Sequence, residues 1–229
     1  MSYYPYSSIL EYIPKRYVGL SIKQQQDRQA VYSFKDGNCP IYAKELMVNL
    51  IKSIISSNSS SWVVCFIPAS TKDKHFRRYG ALSNYLNNHL PCPAYVDGID
   101  VAYDRESGYM SGKTADPTDN MVFNSSRFIG KKVILIDDVR TRGVTFEKTA
   151  DKLISNGAAS VYGVFLAQTI HPNLPIDNTP KYSSGSYNED LNDILAEEYY
   201  QDEMANEIMQ EELYQEEMDR EFLYEIGEL

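Results

Sequence analysis

The stretch Val133-Ile-Leu-Ile-Asp-Asp-Val-Arg-Thr-Arg-Gly-Val-Thr145 decides the reading of this 229-residue chain. Val133 to Ile136 are apolar in succession, as in a strand buried on both faces of a parallel sheet. That strand delivers two adjacent carboxylates, Asp137 and Asp138, to its C-terminal end. A small, hydroxyl-bearing turn follows, and the spacing from about Thr145 to Asn156 predicts a helix directly behind it. Ligands of open α/β sheets lie outside the carboxyl ends of strands, and a helix N-terminus attracts phosphate through its free N–H groups. Gly143 allows a ligand close to the backbone, and the hydroxyls of Thr141 and Thr145 can donate to phosphate oxygens. Two carboxylates one step away suit vicinal sugar hydroxyls or a divalent cation. The competing account is a surface Asp-Asp turn in some other α/β domain. It leaves the coincidence of strand, acidic pair, loop and helix unexplained.

Working outward, Trp62 to Ile67 is a second buried-type strand, closed by Pro68, with a helix predicted over residues 74–89. Ser160 to Ala167 reads as a third strand, after Gly157-Ala158-Ala159 ends the preceding helix. Upstream, Ala30-Val31-Tyr32-Ser33-Phe34 reads as a short strand stopped by Lys35-Asp36-Gly37-Asn38, and residues 41–55 as an amphipathic helix. Ala94-Tyr95-Val96 is a further short strand. Residues 1–30 show no clear period, and 98–128 form a long polar loop of the functional or mobile kind. Strands alternating with helices predict an α/β fold with a mostly parallel central sheet flanked by helices.

The charge is divided. Of 32 acidic and 22 basic residues, 16 acidic and one basic (Arg220) lie after Asn188, so residues 1–188 carry +5 and residues 189–229 carry −15. No apolar run reaches the roughly 20 residues of a membrane helix. The N-terminal Met-Ser-Tyr-Tyr-Pro-Tyr is not expected to be a secretory signal. Cys39, Cys65 and Cys92 form no C-x-x-C pair, which argues against disulfide or zinc frameworks and predicts a cytoplasmic location. The three histidines show no metal-ligand or triad spacing.

The segment 133–145 resembles the 5-phosphoribosyl 1-diphosphate (PRPP) motif of the type I phosphoribosyltransferases. The resemblance implies a type I phosphoribosyltransferase-like domain over residues 1–170, with its core at about 30–168. It implies that Asp137 and Asp138 face the ribose hydroxyls, and that Arg140, Thr141, Arg142, Gly143, Val144 and Thr145 wrap the 5′-phosphate. Arg142 stands where a second threonine is common, a variation similar to the amidophosphoribosyltransferase form. Ile67 to Lys72 looks like the family's pyrophosphate loop, so Ala69, Ser70, Thr71 and Lys72, with Arg77 and Arg78 behind them, would hold the diphosphate. A solvated basic helix start is the bland alternative for that cluster. Arg105 and Lys113 are candidates for the family's flexible catalytic loop. The order of elements over about 30–168 is similar to the competence protein F-like branch. Implied with the family are magnesium, held mainly through PRPP with Asp137 and Asp138 as contributors, and a base or amine acceptor chosen by variable segments at 1–30 and after Gln168.

Residues 171–188 read as a linker, and 189–229 as an acidic amphipathic helical tail in which Tyr214, Met218, Phe222 and Ile226 recur at four-residue spacing. The tail is either a solvated cap or a docking element for an oligomer or protein partner; its charge has the wrong sign for nucleic acid. Two function classes stand. One is a magnesium- and PRPP-dependent transferase. The other is a non-catalytic PRPP-sensing or effector subunit of a larger complex. Truncation after about Asn188 is expected to change oligomeric state or activity, read by size-exclusion chromatography with light scattering and by PRPP titration; an indifferent truncation would discard the docking role.

Overall fold

The computed structural model describes residues 3–55, 58–103 and 116–176. Its centre is strand β5 (Lys132–Arg140), which pairs in parallel with β2 (Trp62–Phe66) on one side and β6 (Ser160–Thr169) on the other. Strand β1 (Tyr6–Tyr12) pairs in parallel with β6, giving the order β1-β6-β5-β2. Parallel strands need crossover connections, and right-handed crossovers place helices on both faces.

Strand alternation assigns the two faces. Val64, Phe66, Ile134, Ile136, Val164 and Leu166 pack with helices α1 (Ile22–Lys35), α2 (Ile41–Ile55) and α3 (Lys72–His89). Val63, Cys65, Val133, Leu135 and Phe165 pack with Phe146, Ala150 and Leu153 of helix α4 (Val144–Ser155). Beside α4 lies an antiparallel pair, β3 (Ile99–Val101) with β4 (Met121–Phe123). Each fully buried aliphatic or aromatic side chain in these layers contributes about 1.5–3 kcal/mol. No helix among the described residues is long and apolar enough to cross a membrane.

Several expectations are corrected. Ala30–Phe34 is not a strand but the end of α1, whose buried residues Asp27, Ala30, Val31 and Phe34 recur at helical spacing. The helix starts at a capping box: the Ser21 hydroxyl accepts from the Gln24 N–H, and the Gln24 side chain accepts from the Ser21 N–H. The sheet begins at Tyr6, well upstream of residue 30. Ala94–Val96 is not a strand: Ala94 makes one isolated parallel bridge to Val64, closed by the Tyr95 N–H to the Val64 carbonyl and the Val64 N–H to the Pro93 carbonyl, each at 2.9 Å. The span 98–128 contains β3 and β4, and Arg105 and Lys113 lie outside the described residues. So does the acidic tail. Residues 171–176 return to the body, where the Val18 N–H donates to the Pro175 carbonyl at 3.0 Å and Tyr17 bridges Ile176.

Gly37, just after α1, has φ +85°, and a Cβ there would lie 2.2 Å from the carbonyl oxygen of Arg77 on α3. Only glycine allows this approach. Gly37→Ala is therefore expected to destabilise the protein by about 2 kcal/mol or more, from strain and overpacking together. Urea unfolding measures it; a loss under about 0.5 kcal/mol would mean that α1 and α3 separate freely.

Candidate functional site

The site lies where β2 and β5 end. Apolar residues keep β5 buried to Ile136, and the alternation then turns Asp138 toward the face of α1 and α3. Asp138 is buried, with its Oδ2 3.2 Å from Arg78 Nη1 and 3.9 Å from Lys35 Nζ. Its Oδ1 accepts the Val139 N–H at 2.7 Å. Asp137 is half-buried; its Oδ1 accepts the Asp138 N–H at 2.8 Å and the Tyr79 hydroxyl at 3.2 Å. The two carboxyls are driven apart in acidity. Enclosure by protein, then the neighbouring charge of Asp138, push Asp137 well above the usual carboxylate range. Burial also works against ionisation of Asp138, but Arg78 and Lys35 outweigh it and hold that carboxyl below its ordinary value.

The loop after the pair turns at Gly143, which has φ +84° and precedes α4 without any side-chain cap. That leaves the first-turn N–H groups of α4 to solvent or to a ligand. Thr141 Oγ1 lies 2.9 Å from Thr169 Oγ1, and Gln168 Nε2 donates to the Thr141 carbonyl at 3.3 Å. Arg140 belongs to this loop in sequence, but its side chain is only 13% exposed and turns inward. Its guanidinium carbon sits 3.9 Å from the centre of the Tyr6 ring, and Nη2 is 3.6 Å from Glu147 Oε1. The guanidinium also fills the space a Cβ on Gly143 would take, 2.6–2.8 Å from it. Arg142, Val144 and Thr145 are half-buried along the rest of the loop.

In the 68–72 segment, Ala69 is buried, and Thr71 caps α3 by accepting the Lys74 N–H at 3.2 Å. Ser70 is half-buried. Lys72 Nζ meets Asp100 Oδ2 of β3 at 3.0 Å. Arg77 offers its backbone to the Gly37 contact, while Arg78, one residue on, points to Asp138. The basic cluster at the start of α3 therefore divides between two partners.

Lys35, Tyr79, Tyr6, Glu147 and Thr169 complete the site and were not read from the sequence. Only Tyr79 carried a signal, as the neighbour of two arginines on a predicted helix. Burial pushes the thiols of Cys39 and Cys65 up to about 12 and that of Cys92 up to about 11, so none is a nucleophile at neutral pH. His75 is buried and lowered in pKa by burial, its Nε2 donating to the Val96 carbonyl at 2.7 Å. Among the described residues no three His, Cys, Asp or Glu side chains gather to hold a metal.

No family model matches the chain. Over 98 residues, 43% of its length, it is 34% identical to a protein of Lactococcus lactis subsp. lactis provisionally named ribose-phosphate pyrophosphokinase 2. Over 93 residues it is also 34% identical to a protein of Enterococcus faecalis provisionally named ribose-phosphate pyrophosphokinase 1. The chain is thus similar to these proteins over less than half of its own length. It spans about a quarter of the length of these relatives, 25% and 24% respectively. Among solved structures, a hypoxanthine-guanine phosphoribosyltransferase from Bacillus anthracis superposes over 66% of this chain and 77% of that one, with TM-score 0.36 and 17% identity. A hypoxanthine phosphoribosyl transferase from Trypanosoma cruzi does so over 62% and 66%, with TM-score 0.36 and 15% identity.

The acidic pair has opposed effects on stability. A carboxyl raised in the folded state favours folding at low pH, and that contribution is lost as pH rises through the folded value. Asp137 therefore costs stability at neutral pH. A depressed carboxyl contributes above its unfolded value of about 3.9 and loses that contribution as pH falls through the folded one, which is the case of Asp138. Asp137→Asn is expected to raise the melting temperature at about pH 7.5 and Asp138→Asn to lower it, both differences shrinking as pH falls below about 4. Scanning calorimetry across pH checks both signs; a lower melting temperature for Asp137→Asn would refute the assignment.

Proposed function

We propose that the chain binds PRPP with magnesium and transfers the 5-phosphoribosyl group to a nitrogenous base or amine, releasing diphosphate. The observation that carries this reading is the buried strand ending in Asp137 and Asp138, followed at once by the Gly143 turn and the uncapped start of α4. Loop 140–145 would hold the 5′-phosphate, the acidic pair the ribose, and 69–72 the leaving diphosphate. The excess positive charge of residues 1–188 suits a ligand rich in phosphates.

In the reaction the C1–oxygen bond to diphosphate breaks and a C1–nitrogen bond forms, and the acceptor's surplus proton goes to solvent. The transition state carries positive charge on the ribose, so carboxylate placement and orientation dominate catalysis. Two carboxylates fit magnesium, which takes one or two such ligands and completes its shell with substrate phosphates and water. Asp137 and Asp138 would hold it together with PRPP, and it would supply charge neutralisation of the diphosphate. The domain division at 171–188, the tail as a docking element and the cytoplasmic location belong to the same proposal.

The relatives' names favour a second reading, diphosphoryl transfer to ribose phosphate. Both readings place a ribose 5-phosphate on the Asp137–Thr145 segment and differ in what meets C1. Isothermal titration with PRPP, with and without magnesium, tests the common premise, and no detectable binding of PRPP or ribose 5-phosphate would sink both. Diphosphate release from PRPP with a panel of bases and amines is the expected outcome, reduced about a hundredfold in Asp137→Asn. Turnover only with ATP and ribose 5-phosphate would establish the second reading. Binding without any turnover would leave a sensing subunit.

A further inference from the structure

The side chain of Arg140 is enclosed by β1, α4 and the turn at Gly143. Its guanidinium carbon lies 3.9 Å from the centre of the Tyr6 ring, and that ring stands edge-on to the buried Phe165 of β6 at 6.0 Å. Nη2 is 3.6 Å from Glu147 Oε1, the two side chains being 13% and 20% exposed. Nε, Cζ and Nη2 stand 2.6–2.8 Å from where a Cβ on Gly143 would lie. Glu147 also donates its backbone N–H to the Gly143 carbonyl at 2.8 Å. The turn is therefore closed twice, once through the backbone and once through the Arg140–Glu147 pair. A guanidinium that swung out to a phosphate would give up the ring face and leave a largely buried carboxylate uncompensated beside an anion.

We propose that Arg140 is a positioning residue for the 5′-phosphate, its guanidinium propping the left-handed turn at Gly143 so that the first turn of α4 stays open to the ligand. This rests on the PRPP-binding reading above, in which loop 140–145 holds the phosphate; Arg140 contributes to that hold by shape rather than by charge. What matters is then the flat guanidinium, which stacks on Tyr6 and covers Gly143 at once. An ammonium on a flexible stem has the charge without the plane. Tyr6 belongs to the same device and acts through Arg140.

The test is titration of PRPP with magnesium into the full chain and its variants, well below each melting temperature, where stability alone does not change affinity. Arg140→Met and Arg140→Lys should both weaken binding about tenfold and lie within about threefold of each other. Arg140→Lys close to wild type beside a much weaker Arg140→Met would show that the charge itself meets the phosphate, and would overturn the proposal. Tyr6→Leu should weaken binding about threefold on its own and add nothing to Arg140→Met. Tyr6→Phe keeps the ring and should restore most of that loss. A Tyr6→Leu loss of the same size in both backgrounds would overturn the proposal as well. If the Arg140 variants fail to fold, the Tyr6 pair decides: Tyr6→Leu weaker than Tyr6→Phe is the expected result, and equal affinities would overturn it. Wild-type protein that binds no PRPP would remove the functional reading and this assignment together; binding with the wrong pattern among variants removes this assignment alone.

Discussion

Two carboxylates on consecutive residues of one strand repel each other, and burial amplifies the repulsion because little water remains to screen it. A strand that ends in such a pair needs a counter-charge on at least one side. Here Arg78 and Lys35 supply it, both to Asp138. The rest of the helical layer is arranged around that need. Helix α1 must end and α3 must pass at the height of residue 138, and the two must come within backbone contact at Gly37. The Tyr79 ring, packed between Phe34 and Phe66, brings its hydroxyl to Asp137 and fixes the second carboxyl by a neutral contact.

The opposite side of the site is built by a different device. Arg140 is anchored by the face of Tyr6 and the carboxylate of Glu147, so β1 and α4 both grip the loop that follows the acidic pair. Such stacking is worth about 0.5–2 kcal/mol, depending on desolvation. With its guanidinium against Gly143, the loop has no freedom to collapse inward. Thr141 is tied sideways to Thr169 on β6. The loop is thus positioned from behind and from one flank, while its front, the start of α4, carries no cap of its own.

The sequence made some of this legible and hid the rest for physical reasons. Strands β2, β5 and β6 announce themselves because burial on both faces demands an unbroken apolar run. The Gly143 turn is a local matter of backbone chemistry and is equally plain. The end of α1 looks like a strand in the sequence because Val31, Tyr32 and Phe34 are β-formers in a short window, and the outward face of Gln24, Gln25 and Gln26 masks the helical period. With the helix lost, Lys35 became a turn residue and its bond to Asp138 was invisible. Strand β1 escaped because Ser7, Ser8 and Glu11 interrupt its alternation at the sheet edge. The charge of Arg78 is plain in the sequence but its contact with Asp138 is not, since helical phase shows which way a side chain turns only once the partner surface is known.

The pairing of β1 with β6 has a consequence for how the chain reaches this state. Tyr6 lies beside Gly163 and Tyr12 beside Thr169, so among the described residues the earliest strand finds its neighbour in the latest one. Closing so long a loop is entropically slow, and non-local parallel pairing delays folding generally. During synthesis β1 must wait as an unpaired strand while the elements after it are assembled. Tyr6 and Arg140 then meet in the same late step, so the loop that follows the acidic pair acquires its support only when the sheet is complete.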